Sequence, residues 1–527
     1  MFSDSARTRP IRALAGFVAM LTAASAYAQP ALVAKLNADD GVLGDLLGSS
    51  AAIEGDTVFL GAPDDTIGST FRSGSVYVFE RVDGLWVQTD KLIPPDRAMD
   101  NAFGTAVAVD GDLAVISALE GEAGDVSNTG AAYVYRRSSG VWTLEAKLIA
   151  GDADTSDSFG YSVAVSGNTI LVGAVDEGDT FFSNGAVYVF RNTTGNWKQV
   201  AKLVASDPAD FDYFGSSVAL SGTTAIIGTP GDDTPAGVDT GSAYVFEEID
   251  GVWTETGNLV SSDAAPFDAF GSSVAMTPLR AVVGAYLDDL TGANEGSAYI
   301  FDDVDGVWTE TAKLIAGDAA SDDEFGWRVD IDGANVAVAA HMDNFPGARD
   351  AGSAYVFSDA SGAWKQIAKL QEDQPAIADQ MGRSLGISGD FIIAGAWQDD
   401  VNNVSDVGTG YLFDLVPDPP PDLTITVTSQ CPSGGTVTVS WTGATPGGQV
   451  ALLLSPNPGN FVIPAGNPCV GTQLGLAGSG IRIVYQGGAG QFGIRTVQGN
   501  ASPGTCGQLI QLLDIDSCRT SNVDTID

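Results

Sequence analysis

Short apolar segments separated by polar turns run through most of the chain, in a pattern that predicts β-strands. In one stretch, residues 162–165 are small, and a tight turn separates them from residues 170–174, which are apolar throughout. An unbroken apolar run of that length is typical of a strand buried on both faces. After a long polar loop, residues 186–191 form a third predicted strand. Residues 197–203 form a fourth, whose polar content suits an exposed outer edge.

This four-strand pattern occurs seven times, and two glycines mark each copy. The first usually follows a phenylalanine and recurs every 55 or 56 residues, at Gly48, Gly104, Gly160, Gly215, Gly271, Gly326 and Gly382. The second leads into a Tyr-x-aromatic triplet and stands at Gly74, Gly130, Gly185, Gly241, Gly296, Gly352 and Gly408. A unit of this size cannot bury its own apolar face and must stack on its neighbours. The pattern therefore predicts an all-β fold built on a seven-bladed β-propeller.

The recurrent aromatic residues are expected to be structural. The phenylalanine before the first glycine should wedge between blades, while the glycine lets two backbones approach closely. These phenylalanines are Phe103, Phe159, Phe214, Phe270 and Phe325. A tryptophan recurs at one register of the fourth strand, at Trp86, Trp142, Trp197, Trp253, Trp308 and Trp364. The small first strand is predicted to lie nearest the propeller axis.

The seventh copy lacks a fourth strand of its own. It reaches the triplet ending at Phe413, but no tryptophan strand follows. The N-terminus supplies an unassigned Ala34-Lys35-Leu36, which matches the ends of fourth strands at residues 146–148 and 201–203. We therefore predict that the N-terminal segment completes the last blade and covers an edge that would otherwise stay unpaired.

The N-terminal residues 1–28 have the features of a signal peptide. Arg7, Arg9 and Arg12 precede an apolar stretch, and Ala26-Tyr27-Ala28 forms a cleavage site of small residues. The protein is therefore expected to be secreted, periplasmic or at the cell surface. No later apolar stretch reaches the length of a membrane-spanning helix. The predicted domains are the propeller at residues 29–416, a proline-rich linker at 417–421 and a second module at 422–527.

The second module differs from the propeller in composition. It holds five acidic residues and three arginines, and short alternating segments predict a small immunoglobulin-like β-sandwich. It also contains all the cysteines, Cys431, Cys469, Cys506 and Cys518. Two disulfides are their expected use in an exported protein. Three pairings are possible, and we favour 431 with 469 and 506 with 518.

The landmarks of the repeat resemble those of the FG-GAP family, the propeller also found at the head of integrin α chains. The resemblance is carried by the Phe-Gly pairs and by short Gly-Ala or Gly-Ala-Pro segments, such as Gly61-Ala62-Pro63 and Gly173-Ala174. It covers residues 31–415 and implies the propeller fold. In that family some blades bind calcium through a loop of alternating aspartates between the first two strands. Here that connection is a tight turn, as in Asp110-Gly111-Asp112, so these calcium sites do not carry over.

Negative charge is concentrated at one end of the predicted propeller. The chain has 67 acidic and 24 basic residues, for a net charge of −43. Of the acids, 39 lie in loops that strand polarity places on one face, together with only three arginines. Such a face repels nucleic acid and anionic membranes and attracts cations or basic partners. A saline habitat would favour the same composition without any specific ligand.

The loops that lead into each Phe-Gly pair carry regularly spaced carboxylates. Clustered oxygen ligands of this kind suit Ca²⁺, so these loops are candidate calcium sites. The candidate ligands are Asp152, Asp154, Asp157, Asp207, Asp210, Asp212, Asp318 and Asp323. The alternative is that these side chains cap their own turns and face solvent.

An enzyme is not favoured by the sequence. The only histidine, His341, occupies a slot that Pro63, Val175, Tyr286 and Trp397 fill in other copies, which is typical of a surface or packing residue. No nucleophile elbow is present. The favoured hypothesis is a secreted, monomeric, non-catalytic binding or adhesion protein that presents the acidic face to an extracellular protein or glycan. The alternatives are a polysaccharide hydrolase or lyase that uses carboxylates of that face, and a structural envelope component.

Overall fold

The computed structural model describes residues 30–121, 128–178, 182–402 and 404–415, together with the strands of a second unit. The chain divides into two compact units, Met1–Val416 and Pro417–Asp527. All regular elements of the described residues are β-strands, and in the first unit they form seven four-stranded antiparallel sheets. The first unit is a seven-bladed β-propeller, as the repeat predicted.

Each blade consists of four strands that are consecutive in the sheet. Blade 1 contains β2 (Ser50–Glu54), β3 (Thr57–Ala62), β4 (Ser75–Val82) and β5 (Leu85–Leu92), and blade 2 contains β6 (Phe103–Asp110), β7 (Leu113–Ala118), β8 (Ala131–Ser138) and β9 (Val141–Leu148). Blade 3 contains β10 (Phe159–Ser166), β11 (Thr169–Ala174), β12 (Ala186–Thr193) and β13 (Asn196–Leu203), and blade 4 contains β14 (Ser217–Ser221), β15 (Thr224–Thr229), β16 (Ser242–Ile249) and β17 (Val252–Leu259). Blade 5 contains β18 (Ser273–Thr277), β19 (Arg280–Ala285), β20 (Ser297–Val304) and β21 (Val307–Leu314), and blade 6 contains β22 (Phe325–Asp332), β23 (Asn335–Ala340), β24 (Ser353–Ser358) and β25 (Lys365–Leu370). The first strand of blade 3 begins at the Phe-Gly pair, three residues before the predicted start.

Blade 7 is assembled from both ends of the propeller sequence. It contains β26 (Ser384–Ser388), β27 (Phe391–Ala396) and β28 (Thr409–Asp414), and its outer strand is the N-terminal β1 (Ala31–Leu36). β1 pairs antiparallel with β28, and Lys35 lies opposite Tyr411. The ring is therefore closed by hydrogen bonds between the first and last strands of the unit.

The two landmarks of the repeat contact each other inside the blade stack. In blade 3, the Phe159 ring packs edge-on against Tyr188 at 5.5 Å and Phe190 at 6.0 Å, measured between ring centroids. Residues of blade 2, among them Val115 and Val134, complete the same buried cluster. Each such cluster lies between two neighbouring blades, which is why one unit cannot fold alone.

The glycine of each Phe-Gly pair allows neighbouring blades to come into backbone contact. Gly104 has a φ of +97°, and a Cβ added there would lie 2.6 Å from the carbonyl oxygen of Ser75. Gly61, at the end of the second strand of blade 1, faces Gly104 so closely that an added Cβ would lie 2.1 Å from the Gly104 carbonyl oxygen. Only a residue without a side chain fits either position.

The second unit is described through nine strand segments. One sheet pairs β29 (Thr424–Thr428), β30 (Gly435–Thr442) and β35 (Arg495–Ala501), and a two-stranded sheet pairs β32 (Pro458–Val462) with β33 (Gln473–Leu476). A four-stranded sheet contains β34 (Arg482–Gly488), β31 (Gln449–Ser455), β36 (Leu509–Asp514) and β37 (Arg519–Thr525). The immunoglobulin-like sandwich stays a prediction. The four cysteines, the predicted signal peptide and the predicted proline-rich linker lie outside the described residues.

Candidate functional site

The loops before each first strand and after each second strand meet at one end of the propeller, here called the loop face. In blade 5, a lysine and a tyrosine link these two loops. Lys313 Nζ lies 2.7 Å from Asp263 and 2.6 Å from Asp288, and the ammonium sits 5.1 Å from the centre of the Tyr299 ring. The tyrosine hydroxyl donates a hydrogen bond to Asp263 at 2.8 Å. The lysine thus acts as a built-in counter-ion for two carboxylates.

Three other blades repeat this arrangement with both carboxylates, and in blade 2 the described residues show it with one. The ammonium groups are those of Lys91, Lys202 and Lys369 with two acids each, and Lys147 with Asp96. Burial acts to raise the pKa of Asp263, but the hydrogen bonds from Lys313 and Tyr299 lower it below its usual range. These lysines therefore neutralise a small part of the acidity that the sequence assigns to this face and leave most of it unbalanced.

The lysines contact two of the three predicted calcium loops. Asp152 lies 2.8 Å from Lys202 Nζ, and Asp318 lies 2.7 Å from Lys369 Nζ. Asp207 accepts a hydrogen bond from the Tyr244 hydroxyl at 2.8 Å. Asp207 has no ion pair with a lysine among the described residues. The reason is that Asn258 stands opposite Tyr244, at the position where the other blades carry lysine.

The remaining predicted ligands bind backbone amides. Asp157, Asp212 and Asp323 each accept a hydrogen bond from the N–H three residues earlier, which is the turn-capping role. The Asp154 carboxylate accepts a hydrogen bond from the Thr155 N–H, and the Asp210 carboxylate accepts one from the Phe182 N–H. Asp323 keeps one oxygen, Oδ1, without a hydrogen-bond partner among the described residues.

One carboxylate cluster of the described residues was missed by the sequence analysis. Ligand oxygens of Glu372, Asp379 and Asp399 all lie within 4.8 Å of one another, at the entrance to blade 7. An alignment of the seven copies against one another contains the signal. Glu372 stands two residues after Leu370, at a position that the other copies fill with alanine, serine or proline.

The turn-capping carboxylates predict an unusual pH dependence of stability. Burial raises the pKa of four of them to about 6, namely Asp45, Asp212, Asp268 and Asp323. The folded state then binds protons that the unfolded state, with pKa values near 3.9, releases. Their contribution to stability is complete below about pH 4 and is lost as the pH rises through 6. Lysine-paired acids such as Asp263 act in the opposite sense, and only below their usual pKa.

We therefore expect the melting temperature at low salt to be highest between about pH 4 and 6 and to fall towards pH 8. Asp268→Asn should reduce that fall, because it removes one of the four titrating groups. Blade 2 carries Asn101 at the equivalent position, so the amide is compatible with the turn. Thermal unfolding monitored by circular dichroism would test this, and a melting temperature that climbs steadily from pH 4 to 8 would contradict it.

An aromatic–arginine cluster lies on the loop face where the first strands of blades 6 and 7 begin. It consists of Tyr286, Trp327, His341, Arg383 and Trp397, all contributed by blades 5 to 7. The Arg383 guanidinium lies between two indoles, 4.8 Å from the Trp327 ring and 4.4 Å from the Trp397 ring. Trp327 also contacts Tyr286 edge-on at 5.1 Å and stacks on His341 at 4.3 Å. Both indoles and Tyr286 remain partly exposed.

The charges in this cluster are unbalanced. Neither Arg383 nor the adjacent Arg328 has an ion pair among the residues that the structure describes. Burial, together with the charge of Arg328, lowers the pKa of Arg383 to about 10. Burial and the two arginines lower the pKa of His341 to about 3, so this side chain is neutral and packs against Trp327. Two unpaired guanidiniums beside open aromatic faces are suited to hold an anionic group.

The cluster borders the central channel. The first strands of all seven blades line a cavity of about 350 Å³, mostly with small side chains, as the sequence predicted for this strand. Arg328 and Asp330 are the charged residues in its lining. A ligand bound at the cluster could therefore extend a short group towards the axis.

Comparison with protein-family models finds seven copies of a model described as FG-GAP repeat. The matched residues are 31–79, 86–135, 142–190, 197–246, 253–301, 308–357 and 364–413, which together form more than half of the chain. Each match begins in the outer strand of one blade, or one residue before it in the last copy, and ends in the third strand of the next blade. The repeat of the sequence and the blade of the structure are therefore out of phase. Comparison with curated proteins finds no match.

Proposed function

The chain belongs to the FG-GAP repeat family, and from this fold and its loop face we propose that it is a secreted, non-catalytic binding protein. The β-propeller is compatible with binding and adhesion, because rigid blades hold many loops in a fixed arrangement at one face. Within the described residues, no helix is long and apolar enough to cross a membrane. The signal sequence at residues 1–28 supports export.

The proposed binding site is the aromatic–arginine cluster. Trp327, Trp397 and Tyr286 offer flat apolar surfaces, and Arg383 offers planar hydrogen-bond donors beside them. This combination suits a glycan that carries a carboxylate or sulfate group, since sugar rings pack on aromatic faces and guanidinium binds such anions in a bidentate manner. The surrounding acids disfavour long polyanions, so a single acidic group or a chain end is the best fit.

The observation that carries this proposal is that Arg383 is held between two indoles without a carboxylate partner. We expect Arg383→Ala to weaken glycan binding by about tenfold or more, equivalent to about 1.4 kcal/mol. The binding would be measured on an array of neutral, uronic-acid and sulfated glycans with the chain lacking residues 1–28, followed by titration calorimetry on the best ligand.

A matched control lies on the same face. Arg349 has a side chain that is 80% exposed, and its ion pair among the described residues is with the neighbouring Asp350, so Arg349→Ala removes the same charge from outside the cluster. It should leave the affinity within about twofold of the parent. Equal losses in both variants, or no loss in Arg383→Ala, would contradict the proposed site. Binding to proteins on a protein array, without binding to the glycan array, would indicate that the cluster binds a protein partner instead.

Cation dependence remains part of the proposal. The Asp207, Asp210 and Asp212 loop of blade 4 is the predicted calcium loop that lacks a lysine contact among the described ion pairs. Oxygen ligands from this loop are suited to Ca²⁺. A bound ion there would reduce the repulsion between Asp212 and Asp232, which now helps to raise the pKa of Asp212 to about 6.

A polysaccharide hydrolase or lyase is the second candidate, and Glu324 is the observation that favours it. Burial and the neighbouring Asp322 raise the pKa of Glu324 to about 7, and its carboxylate lies 3.6 Å from His341 Nε2 at the edge of the cluster. A group that titrates near neutral pH can act as a general acid or base. Turnover of an acidic polysaccharide that is abolished by Glu324→Gln would support this candidate over pure binding.

A further inference from the structure

We propose that Glu372, Asp379 and Asp399 form a binding site for a hard divalent cation, with Ca²⁺ the best match, at the entrance to blade 7. The site shares no residue with the aromatic–arginine cluster and includes none of the aspartates that the sequence predicted as calcium ligands. It does not depend on the proposed glycan-binding role.

The three carboxylates come from two different loops. Glu372 and Asp379 lie between β25 and β26, and Asp399 lies between β27 and β28. Their ligand oxygens are all within 4.8 Å of one another. Because Ca²⁺ binds oxygens at about 2.3–2.6 Å, two ligands on opposite sides of one ion are about 4.6–5.2 Å apart. One ion can therefore contact all three residues.

The equivalent place in other blades is already occupied by a cation, the lysine ammonium. In blades 1, 3, 5 and 6, one Nζ lies 2.6–2.8 Å from two carboxylates of the corresponding loops. Blade 7 also has a lysine at this register, Lys35, opposite Tyr411. Its ammonium lies 5.3 Å from the centre of the Tyr411 ring, as in the other blades, but it pairs with Asp373 at 2.5 Å. Blade 7 thus keeps the negative charges of the arrangement, whereas its lysine is directed to another acid.

The sequence of this loop also departs from the other copies. The aspartate that contacts lysine or tyrosine elsewhere is replaced by Gln374 in the seventh copy. An acid appears instead two residues earlier, at Glu372, whose side chain is directed inwards and is only 2% exposed. Moving the carboxylate inwards places it beside Asp379, the turn-capping residue, which is also 2% exposed.

One oxygen of this buried glutamate has no hydrogen-bond partner. Glu372 Oε2 accepts a hydrogen bond from the Tyr411 hydroxyl at 2.8 Å, but Oε1 is buried and unpartnered among the described residues. The same hydroxyl lies 2.9 Å from Asp399 Oδ2. A hydroxyl has one proton to donate and cannot satisfy two carboxylates. A buried carboxylate oxygen without a partner is costly, and a cation bound by the three carboxylates would offset that cost.

Asp323 in blade 6 provides an instructive comparison, since it also has a buried oxygen without a partner. There, however, Lys369 Nζ lies 2.6 Å from the neighbouring Asp343 and supplies positive charge to the group. Among the described residues, the cluster around Glu372 therefore combines a buried unpartnered oxygen with the lack of a lysine ion pair.

The rival explanation is a proton shared between Glu372 and Asp379. Burial and the charge of Asp379 raise the pKa of Glu372 to about 9, so in the absence of a cation this group is protonated at neutral pH. A cation would displace this proton, because carboxylates bind metals in the ionised form. The two explanations differ in whether calcium binds and whether a proton is released.

The test is calorimetric titration of Ca²⁺ into the chain lacking residues 1–28, after treatment with a chelator, in two pH 7 buffers of different ionisation enthalpy. The parent should bind one more Ca²⁺ than Glu372→Gln, and the heat of this site should depend on the buffer because a proton is released. Ca²⁺ should also raise the melting temperature of the parent by mass action. Glu372→Gln should lose this increment, and it should still fold because Gln resembles the protonated acid in size and charge.

Glu177→Gln in blade 3 is the matched control. Glu177 is 7% exposed and pairs with Lys202 at 2.7 Å, so the same substitution should leave the number of Ca²⁺ sites unchanged. The proposal is overturned if the parent and Glu372→Gln take up equal amounts of Ca²⁺. It is also overturned if neither binds and Glu372→Gln melts at or above the temperature of the parent, since the shared proton would then explain the cluster.

Discussion

Removal of residues 30–36 should destabilise the propeller more than any single substitution. These residues contain β1, which pairs with β28 at five positions and buries Leu36 to 2% exposure. Lost backbone hydrogen bonds cost about 1 kcal/mol each, and loss of a buried leucine costs roughly 2 kcal/mol more. We therefore expect a loss of about 5 kcal/mol or more in the free energy of unfolding, measured by chemical denaturation.

The same truncation should also cause association. Without β1, the edge of β28 offers unpaired N–H and C=O groups next to Tyr411 and Phe413, and an exposed apolar edge pairs readily with other chains. Light scattering should therefore report oligomers. The control is the chain that lacks only residues 1–29. It keeps β1 whole and should have the same melting temperature as the longer chain.

Addition of a synthetic peptide of residues 30–38 should partly restore the melting temperature of the truncated chain by filling the empty edge. Equal stability of the two truncations would show that blade 7 does not need its fourth strand, and would contradict closure by the N-terminus.

Gly228→Ala should also cause a large loss in the free energy of unfolding. Gly228 is the penultimate residue of the second strand of blade 4, and an added Cβ would lie 1.9 Å from the carbonyl oxygen of Gly271 in blade 5. That distance is far inside van der Waals contact, and the atom it meets is backbone, so the two blades must move apart. Overpacking of a close-packed interior costs about 1–3 kcal/mol and more where backbone must shift. We expect a loss of about 3 kcal/mol, measured by denaturant unfolding.

Gly257→Ala in the same blade separates this clash from the general effect of replacing glycine. The nearest atom to an added Cβ there is Val245 Cβ at 3.9 Å, an ordinary contact. Its stability should change by less than about 1 kcal/mol, and an increase is possible because alanine restricts the unfolded chain. Similar losses in both variants would mean that blade spacing is not set by Gly228.

The repeat made the fold predictable from one sequence. Each of the seven copies indicates the same local structure, so an error in interpreting one copy does not change the predicted fold. The Phe159, Tyr188 and Phe190 contact is the physical reason, because the residues that define the repeat also form the core between blades. The bounds of the strands were less well predicted. The first strand of blade 3 begins at Phe159 because Phe159 pairs with Ala174 of the second strand, beyond an irregularity in the strand register.

The candidate sites were less accessible to sequence reasoning. The spacing of the loop carboxylates indicated clusters, but it could not indicate that Lys202 would reach Asp152 across 50 residues of chain. It also could not place Arg383 between Trp327 and Trp397, which are far apart in sequence. These contacts depend on which strand ends lie side by side on the loop face.

The sequence by itself determined the number of blades, the order of strands within them and the end of the propeller that is acidic. These properties follow from local patterns of apolar, glycine and charged residues that each copy carries complete. Only the tertiary structure decided which charges on that face are balanced. Lys35 matches its counterparts in sequence but differs from them in its acidic partner, and its contact with Asp373 forms only when the ring closes and brings both ends of the propeller sequence together in blade 7.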